Sequence, residues 1–153
     1  MSPHKICMLN VSLLLAGSAF AQEKHIKRSE LPAAVEKTVV EQSHGATIRG
    51  FNEEKENGQT TYELEMLVNG HSKDVQMDAS GAVVEIEEQV DFDGLAPAIK
   101  AGLQAKAGES KITKVESITK KGHLVAYEAQ VVNRGKRSEV QTGPDGKPLG
   151  HEE

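Results

Sequence analysis

The chain has 153 residues, which is the length of one domain or of two very small ones. Its formal net charge of −5 disfavours nucleic acid and anionic membranes as partners. Hydrophobic residues make up 37% of the sequence and aromatic residues 3%, so a core must be built mainly from Val, Leu, Ile and Ala.

The first residues, 1–21, are predicted to be a secretory signal peptide. Lys5 precedes a mostly apolar run, and "AFA" (19–21) places small residues before a cleavage point. The run is too short to span a membrane, and a buried N-terminal helix is the alternative interpretation. Ser18 stands where a bacterial lipoprotein has its lipidated cysteine, so we expect no lipid anchor. The single cysteine, Cys7, would leave with the peptide, so the mature chain is expected to have no thiol chemistry.

After a polar segment, 22–30, that is predicted to be a flexible tail, the sequence repeats itself. The segment "LPAAVEKTV" (31–39) aligns with "LAPAIKAGL" (95–103) at an offset of 64. The segment "YELEMLVNG" (62–70) aligns with "YEAQVVNRG" (127–135) at an offset of 65. A single inserted residue in about fifty aligned positions indicates a tandem duplication.

The duplication predicts an α+β fold of two tandem repeats, each a helix packed on a four-stranded antiparallel sheet. The first repeat would span 31–90 and the second 95–149, with a linker at 91–94 and a C-terminal tail at 150–153. The last strand of the second repeat is expected to be short or absent, because Pro148 stands among its few residues.

The helix of each repeat is predicted from apolar residues at positions i, i+4 and i+8. The two stripes are Leu31, Val35 and Val39, and Leu95, Ile99 and Leu103. Pro32 and Pro97 suit the first helical turn, where a missing N–H is tolerated. Gly45 and Gly108 are expected to end the helices.

The strands of the first repeat are predicted from period-two alternation, starting with a strand near 46–51. Asn69-Gly70 and Ser80-Gly81 are hairpin-turn signals. The residues predicted to face the helix are Tyr62, Leu64, Met66, Val68, Val75, Met77, Val84 and Ile86. The residues predicted to lie on the opposite face, and to be the candidate binding site, are Glu63, Glu65, Glu85 and Glu87.

The charge divides between the two halves of the chain. Residues 22–94 carry 7 basic and 16 acidic side chains, a net charge of −9, whereas residues 95–153 carry 10 and 7, a net charge of +3. Two interpretations stay open. The charges either keep two solvated surfaces soluble, or they form an acidic sheet face in the first repeat that meets a basic partner.

No catalytic residue, metal ligand or cofactor is predicted. The six histidines form no His-x-x-x-His pair, and the mature chain would offer no cysteine ligand. No Gly-x-Ser-x-Gly motif occurs. Glu63 and Glu65 are paired carboxylates, but they are expected on an open sheet face, where burial should not shift a pKa.

The quoted segments resemble the PepSY-like repeats of secreted bacterial proteins, in their beta-lactamase-inhibitor-like, PepSY-like group. The shared pattern is a Leu-Pro-x-x-Val helix, a Tyr-Glu-hydrophobic strand, and an Asp-x-x-Gly turn before a Val-x-Glu strand. Residues 31–88 match the pattern well, and residues 95–149 match it more loosely. The resemblance implies a helix packed on an antiparallel sheet, an extracytoplasmic location, and binding or inhibition of secreted enzymes. It carries over no site residue.

We therefore expect a periplasmic or secreted, noncatalytic binding module whose partner is an extracytoplasmic protein or peptide. It would modulate or inhibit an enzyme by protein–protein contact, without stable membrane insertion. The alternative is a binder of small ligands or cations on the acidic face of the first repeat. Tight interfaces are rich in Trp, Tyr and Arg, whereas this chain has no Trp and two Tyr that the alternation places in the core. An adaptable contact therefore fits better than a rigid inhibitor.

Overall fold

The structure is a computed structural model that describes residues 22–56 and 58–153, and these residues form one antiparallel sheet of eight strands. The strands are β1 (Gln22–His25), β2 (Thr47–Glu56), β3 (Gln59–Val68), β4 (His71–Asp78), β5 (Val83–Gln89), β6 (Lys111–Lys120), β7 (His123–Asn133) and β8 (Lys136–Thr142). The helices are α1 (Ala33–Gln42) and α2 (Pro97–Ala107), and two short 3-10 helices precede them, at Arg28–Glu30 and Phe92–Gly94. Neighbouring strands in the sheet are also neighbours in the chain.

The prediction of two repeats, each with a helix on its own four-stranded sheet, is wrong. β5 pairs with β6, from Glu85 opposite Lys120 to Gln89 opposite Glu116, so both halves share a single sheet. This pairing satisfies the backbone groups that two separate sheets would each leave exposed at an edge. The molecule is therefore mostly β, with two short helices on one eight-stranded sheet.

The segment predicted to be a flexible tail, 22–30, contributes a strand and a buried residue of the hydrophobic core under α1, which we call the first core. β1 pairs antiparallel with β2 and forms one edge of the sheet. Ile26 is buried among the residues of the first core. Arg28 binds Glu36 of α1, with 2.7 Å between Nη2 and Oε1. The predicted signal peptide, 1–21, lies outside the described residues.

Both helices pack on the same face of the sheet, and each covers its own core. Alternation along the strands places Ile86 of β5, which packs on the first core, on the same side as Val115 of β6. The buried residues of the first core are Ile26, Val35, Val39, Phe51, Tyr62, Leu64, Met66, Val75 and Met77. Those of the second core are Ile99, Leu103, Ala107, Val115, Ala129 and Val131. Among the described residues, neither helix has the length or apolar character needed to span a membrane.

The predicted helical stripes are confirmed where they fall inside the helices, because Val35, Val39, Ile99 and Leu103 are all buried. A buried stripe of this kind fixes the rotation of each helix about its axis. The opposite face of the sheet is left without a helix.

Two equivalent turns hold the first turn of each helix against the sheet. Gly81 has a φ of 81°, and a Cβ built there would collide with the carbonyl oxygen of Ala34 in α1. Gly146 has a φ of 80°, and a Cβ there would collide with the carbonyl oxygen of Ala98 in α2. Only glycine tolerates both the positive φ and the close approach of the helix backbone.

We expect Gly81→Ala to destabilise the fold more than Gly70→Ala. Gly70 also has a positive φ, 86°, but nothing lies within 4 Å of a Cβ built there. The positive φ alone should therefore cost about 1 kcal/mol at Gly70, and the collision at Gly81 should raise the loss to about 2–4 kcal/mol. Urea unfolding of both variants measures the difference. Equal losses of unfolding free energy in the two variants would show that α1 moves away from the new methyl group at no cost.

Candidate functional site

The face of the sheet opposite the helices carries a group of carboxylates that we call the acidic face. β3 to β7 contribute its members, which are Glu63, Glu65, Asp74, Glu85, Glu87, Glu116 and Glu128. They share this face because each alternates along its strand with a residue on the helix side. The four carboxylates predicted as the binding site all belong to this group.

The predicted carboxylates of β3 and β5 are not direct neighbours, because β4 lies between these strands. Glu65 is opposite Asp74, and Asp74 is opposite Glu87. Adjacent strands are about 4.8 Å apart, so these carboxylates form a row across the sheet. Glu116 and Glu128 lie opposite each other on β6 and β7 and extend the row into the second half.

The row is most crowded where the two halves of the sheet meet. One carboxylate oxygen from each of Asp74, Glu87 and Glu116 lies within 4.8 Å of the other two. The side chain of Glu116 is 3% exposed, and its Oε1 accepts hydrogen bonds from Lys114 Nζ at 2.7 Å and from Ser72 Oγ at 3.1 Å. Within the described residues, Asp74 and Glu87 are half-buried and have no hydrogen bond or ion pair of their own.

This crowding raises the pKa of two carboxylates in the row, Glu87 and Asp74. Burial, together with the negative charges of Glu128 and Glu116, raises the pKa of Glu87 to about 8. Burial, together with the charges of Glu63 and Glu116, raises the pKa of Asp74 to about 6. The expectation that burial does not act on this face is therefore wrong at these two positions, because side chains one strand apart shield each other from water. Near neutral pH, Glu87 keeps its proton.

A buried amide holds the carboxylates at the β3 end of the face. Asn52 is 4% exposed, and its Nδ2 donates to Glu63 Oε2 at 2.7 Å and to Glu65 Oε1 at 3.0 Å. Its Oδ1 lies 3.1 Å from His25 Nδ1. A Cβ at Gly50 would lie 2.9 Å from Glu65 Oε2, so the glycine leaves room for this carboxylate. The predicted pair Glu63 and Glu65 is therefore fixed in position.

The segment predicted to be a C-terminal tail folds onto the β8 end of the same face. Gln141 Nε2 donates to Glu128 Oε2 at 2.8 Å, and Gln141 Oε1 accepts from the backbone N–H of Glu153 at 2.8 Å. The Oε2 of Glu153 lies 3.5 Å from Lys120 Nζ, which is also 3.7 Å from Glu85 Oε2. The last residues thus cover part of β7 and link it to β6 and β8.

Asp74, Glu116 and Glu128 were not predicted as members of the site. Glu128 is the counterpart of Glu63 in the aligned segments 62–70 and 127–135, so the repeat contains its signal. Alternation with Val75 and Met77, two predicted core residues, contains the signal that places Asp74 on the open face. Glu116 has no equivalent signal, because its closeness to Glu87 depends on the pairing of β5 with β6.

No protein-family model matches the chain, and no curated protein matches it in sequence. Solved structures from Bacteroides species share its fold. A DUF2874 family protein from Bacteroides ovatus has 18% identity and a TM-score of 0.60, over 78% of this chain and 84% of its own. A proposed periplasmic protein from Bacteroides eggerthii has 14% identity and a TM-score of 0.62, over 76% and 84%. A BLIP-like protein from Bacteroides fragilis has 18% identity and a TM-score of 0.56, over 80% and 85%.

At these identities the similarity establishes the fold and nothing further. The chain has the fold of DUF2874 and BLIP-like proteins. None of these structures is described as PepSY-like, so the resemblance to PepSY-like repeats stays a prediction.

Proposed function

We propose that the protein is a noncatalytic binding module of the periplasm or the extracellular space, and that its acidic face binds a basic segment of a partner protein. The observation that carries the proposal is the charge of this face. The seven carboxylates of the acidic face lie opposite the helices, and the cationic side chains on the same side of β6 and β8 include Lys114, Lys120 and Arg137.

Both lysines are already engaged. Lys114 Nζ is bound to Glu116 at 2.7 Å, and Lys120 Nζ is shared between Glu85 and Glu153. The negative charge that remains is greatest around Glu65 and Asp74, because Glu87 keeps its proton near neutral pH. Ammonium or guanidinium groups of a partner would relieve the repulsion there, and the excess negative charge would also accelerate encounter with a basic protein.

The location and the type of partner rest on separate support. The predicted signal peptide and the fold shared with a proposed periplasmic protein support an extracytoplasmic location. The fold shared with a BLIP-like protein agrees with the beta-lactamase-inhibitor-like resemblance of the sequence. Both support an extracytoplasmic enzyme as the partner, whose activity the protein modulates by contact.

The proposal is tested by titrating the protein with a decalysine peptide at low ionic strength. We expect binding that weakens as salt is added, because screening acts over about 8–10 Å at moderate ionic strength. The double variant Glu63→Gln/Glu65→Gln should bind about three- to tenfold more weakly. Its amide oxygens can still accept from Asn52, so its melting temperature should change little.

The matched control is Glu41→Gln/Glu109→Gln, which removes the same two charges from exposed positions on α1 and in the turn after α2. It should bind decalysine nearly as the unmodified protein does. If both double variants lose the same affinity, net charge and not the acidic face is responsible. If neither variant changes the affinity, the acidic face does not bind basic segments.

A second candidate function is cation binding by Asp74, Glu87 and Glu116. The closeness of their oxygens, within 4.8 Å, favours it, since hard cations such as Ca²⁺ select carboxylate oxygens. Titration with Ca²⁺ separates the two candidates. A stabilisation by Ca²⁺ that Asp74→Asn abolishes, without any binding of decalysine, would favour the cation.

A further inference from the structure

The strand β8 has an unused edge. β8 pairs with β7 on one side and ends the sheet on the other. Residues 136–139 are exposed. Within the described residues, the side chains of Arg137 and Glu139 form no hydrogen bond or ion pair, and no backbone group of another segment bonds to the outer edge at these positions.

The turn before β8 determines which backbone groups point outward. Arg134 and Gly135 have φ values of 49° and 78°, as in a two-residue hairpin turn, and they join Asn133 to its partner Lys136. The pair next to such a turn is hydrogen-bonded, and hydrogen-bonded pairs then alternate along the ladder. The N–H and C=O groups of residues 137 and 139 therefore point away from β7.

We propose that two copies of this chain pair antiparallel through β8, about a two-fold axis at Ser138. In this register Arg137 of each copy is opposite Glu139 of the other copy. Both residues use the backbone groups that point outward, so the ladder gains hydrogen bonds without losing any to β7. The two-fold axis repeats this pair, so the interface contains two pairs of opposite charges, each formed by Arg137 of one copy and Glu139 of the other.

The charge pattern selects this register. The neighbouring registers that also pair outward backbone groups place Glu139 opposite Glu139, or Arg137 opposite Arg137, and like charges directly opposite are destabilising. The part of β8 whose outer edge is free also has the length that this register requires. Gln141 is buried and engaged with Glu153, so residues 136–140 stay free, and these are the residues that the register pairs.

The pairing would join the acidic faces of the two copies. The side chains of Arg137 and Glu139 lie on the same face as Gln141, because residues two apart share a face. Residues opposite each other in a ladder also share a face, so both acidic faces would lie on one side of a continuous sheet. This inference does not depend on the proposed function.

Analytical ultracentrifugation of the full chain over a wide range of concentration tests the proposal. We expect the mass to rise towards twice that of the monomer. Arg137→Glu should weaken association about tenfold or more, because each copy then places Glu opposite Glu. The double variant Arg137→Glu/Glu139→Arg restores opposite charges and should associate nearly as the unmodified chain does.

Two further variants separate pairing from general effects. Lys136→Glu makes the same change in net charge on the other face of β8 and should leave association unchanged. Arg137→Pro removes an outward N–H and no bond to β7, so it should abolish the dimer while circular dichroism shows the same fold. A monomer at every concentration would overturn the proposal. Equal association in Arg137→Glu and Lys136→Glu, or a folded double variant that stays monomeric, would overturn it too.

Discussion

Replacing Leu103 by Ala is expected to lower the free energy of unfolding by about 2–5 kcal/mol. Leu103 is fully buried at the centre of the second core, among Val115, Ala129 and Val131. Replacement of its isobutyl group by a methyl group would leave a cavity under α2 that neighbouring strands, held in the sheet by their backbone ladders, cannot fill. The loss is large beside the roughly 5–15 kcal/mol that stabilises a typical domain.

The effect should extend to the first half of the molecule. β5 and β6 share a backbone ladder, so the two cores are expected to unfold together. Each core contains one of the two tyrosines, Tyr62 in the first and Tyr127 at the rim of the second. Tyrosine fluorescence in Tyr62→Phe and Tyr127→Phe backgrounds therefore reports each half separately. In the Leu103→Ala protein both signals should move to the same lower urea midpoint.

Lys106→Ala is the control for this prediction. Lys106 is exposed in the last turn of α2, three residues after Leu103. Its removal should change stability by about 0.5 kcal/mol or less. Equal losses for the two variants would contradict the burial of Leu103. A shift in the Tyr127 signal alone would show that the halves unfold independently despite the shared sheet.

Local periodicity predicted much of the secondary structure correctly. The alternation of Tyr62, Leu64 and Met66 gave their burial on one face, since the period of a strand needs no information from the rest of the chain. Asn69-Gly70 predicted a turn that the structure confirms with φ values of 53° and 86°. Asn and Gly tolerate positive φ better than other residues, so the residue types themselves carry this signal.

Pairing between distant strands was not predictable in the same way. The contact between β5 and β6 depends on backbone groups, which every residue has, so no residue type marks it. The polar residues of β1 concealed a strand that completes one edge of the sheet. A bulge at Val84 of β5 also places Val83 opposite Met77, so that Val83 packs on the first core where Val84 was predicted to do so.

The acidic face shows the same difference between what local alternation predicts and what depends on pairing between distant strands. Alternation gave the direction of Glu63, Glu65, Glu85 and Glu87 individually. Their environment depends on Asp74 between them and on Glu116 from the other half, and it is this crowding that changes the pKa values. A list of outward carboxylates therefore predicts a charged face but not its protonation.

The stability of the protein should fall as pH rises from about 4.5 to about 8. Burial and the surrounding carboxylates hold the pKa of Glu87 at about 8 in the folded protein, against 4.5 for an ordinary glutamate. Between these values the folded state holds a proton that the unfolded state has released, so raising the pH favours unfolding. Asp74 acts in the same direction between 3.8 and about 6.

Glu87→Gln should remove most of this dependence, because a glutamine resembles a protonated glutamate in size and has no charge. Each unit of pKa corresponds to about 1.4 kcal/mol, and solvent reaching the half-buried side chain screens part of the repulsion. We therefore expect the variant to be about 1–3 kcal/mol more stable than the unmodified protein near pH 8, and nearly equal to it near pH 5. Glu109→Gln, which removes a charge from the exposed turn after α2, should show no such difference between the two pH values. A gain for Glu87→Gln that is the same at both pH values would mean that packing, and not the charges of Asp74, Glu116 and Glu128, limits stability at the centre of the acidic face.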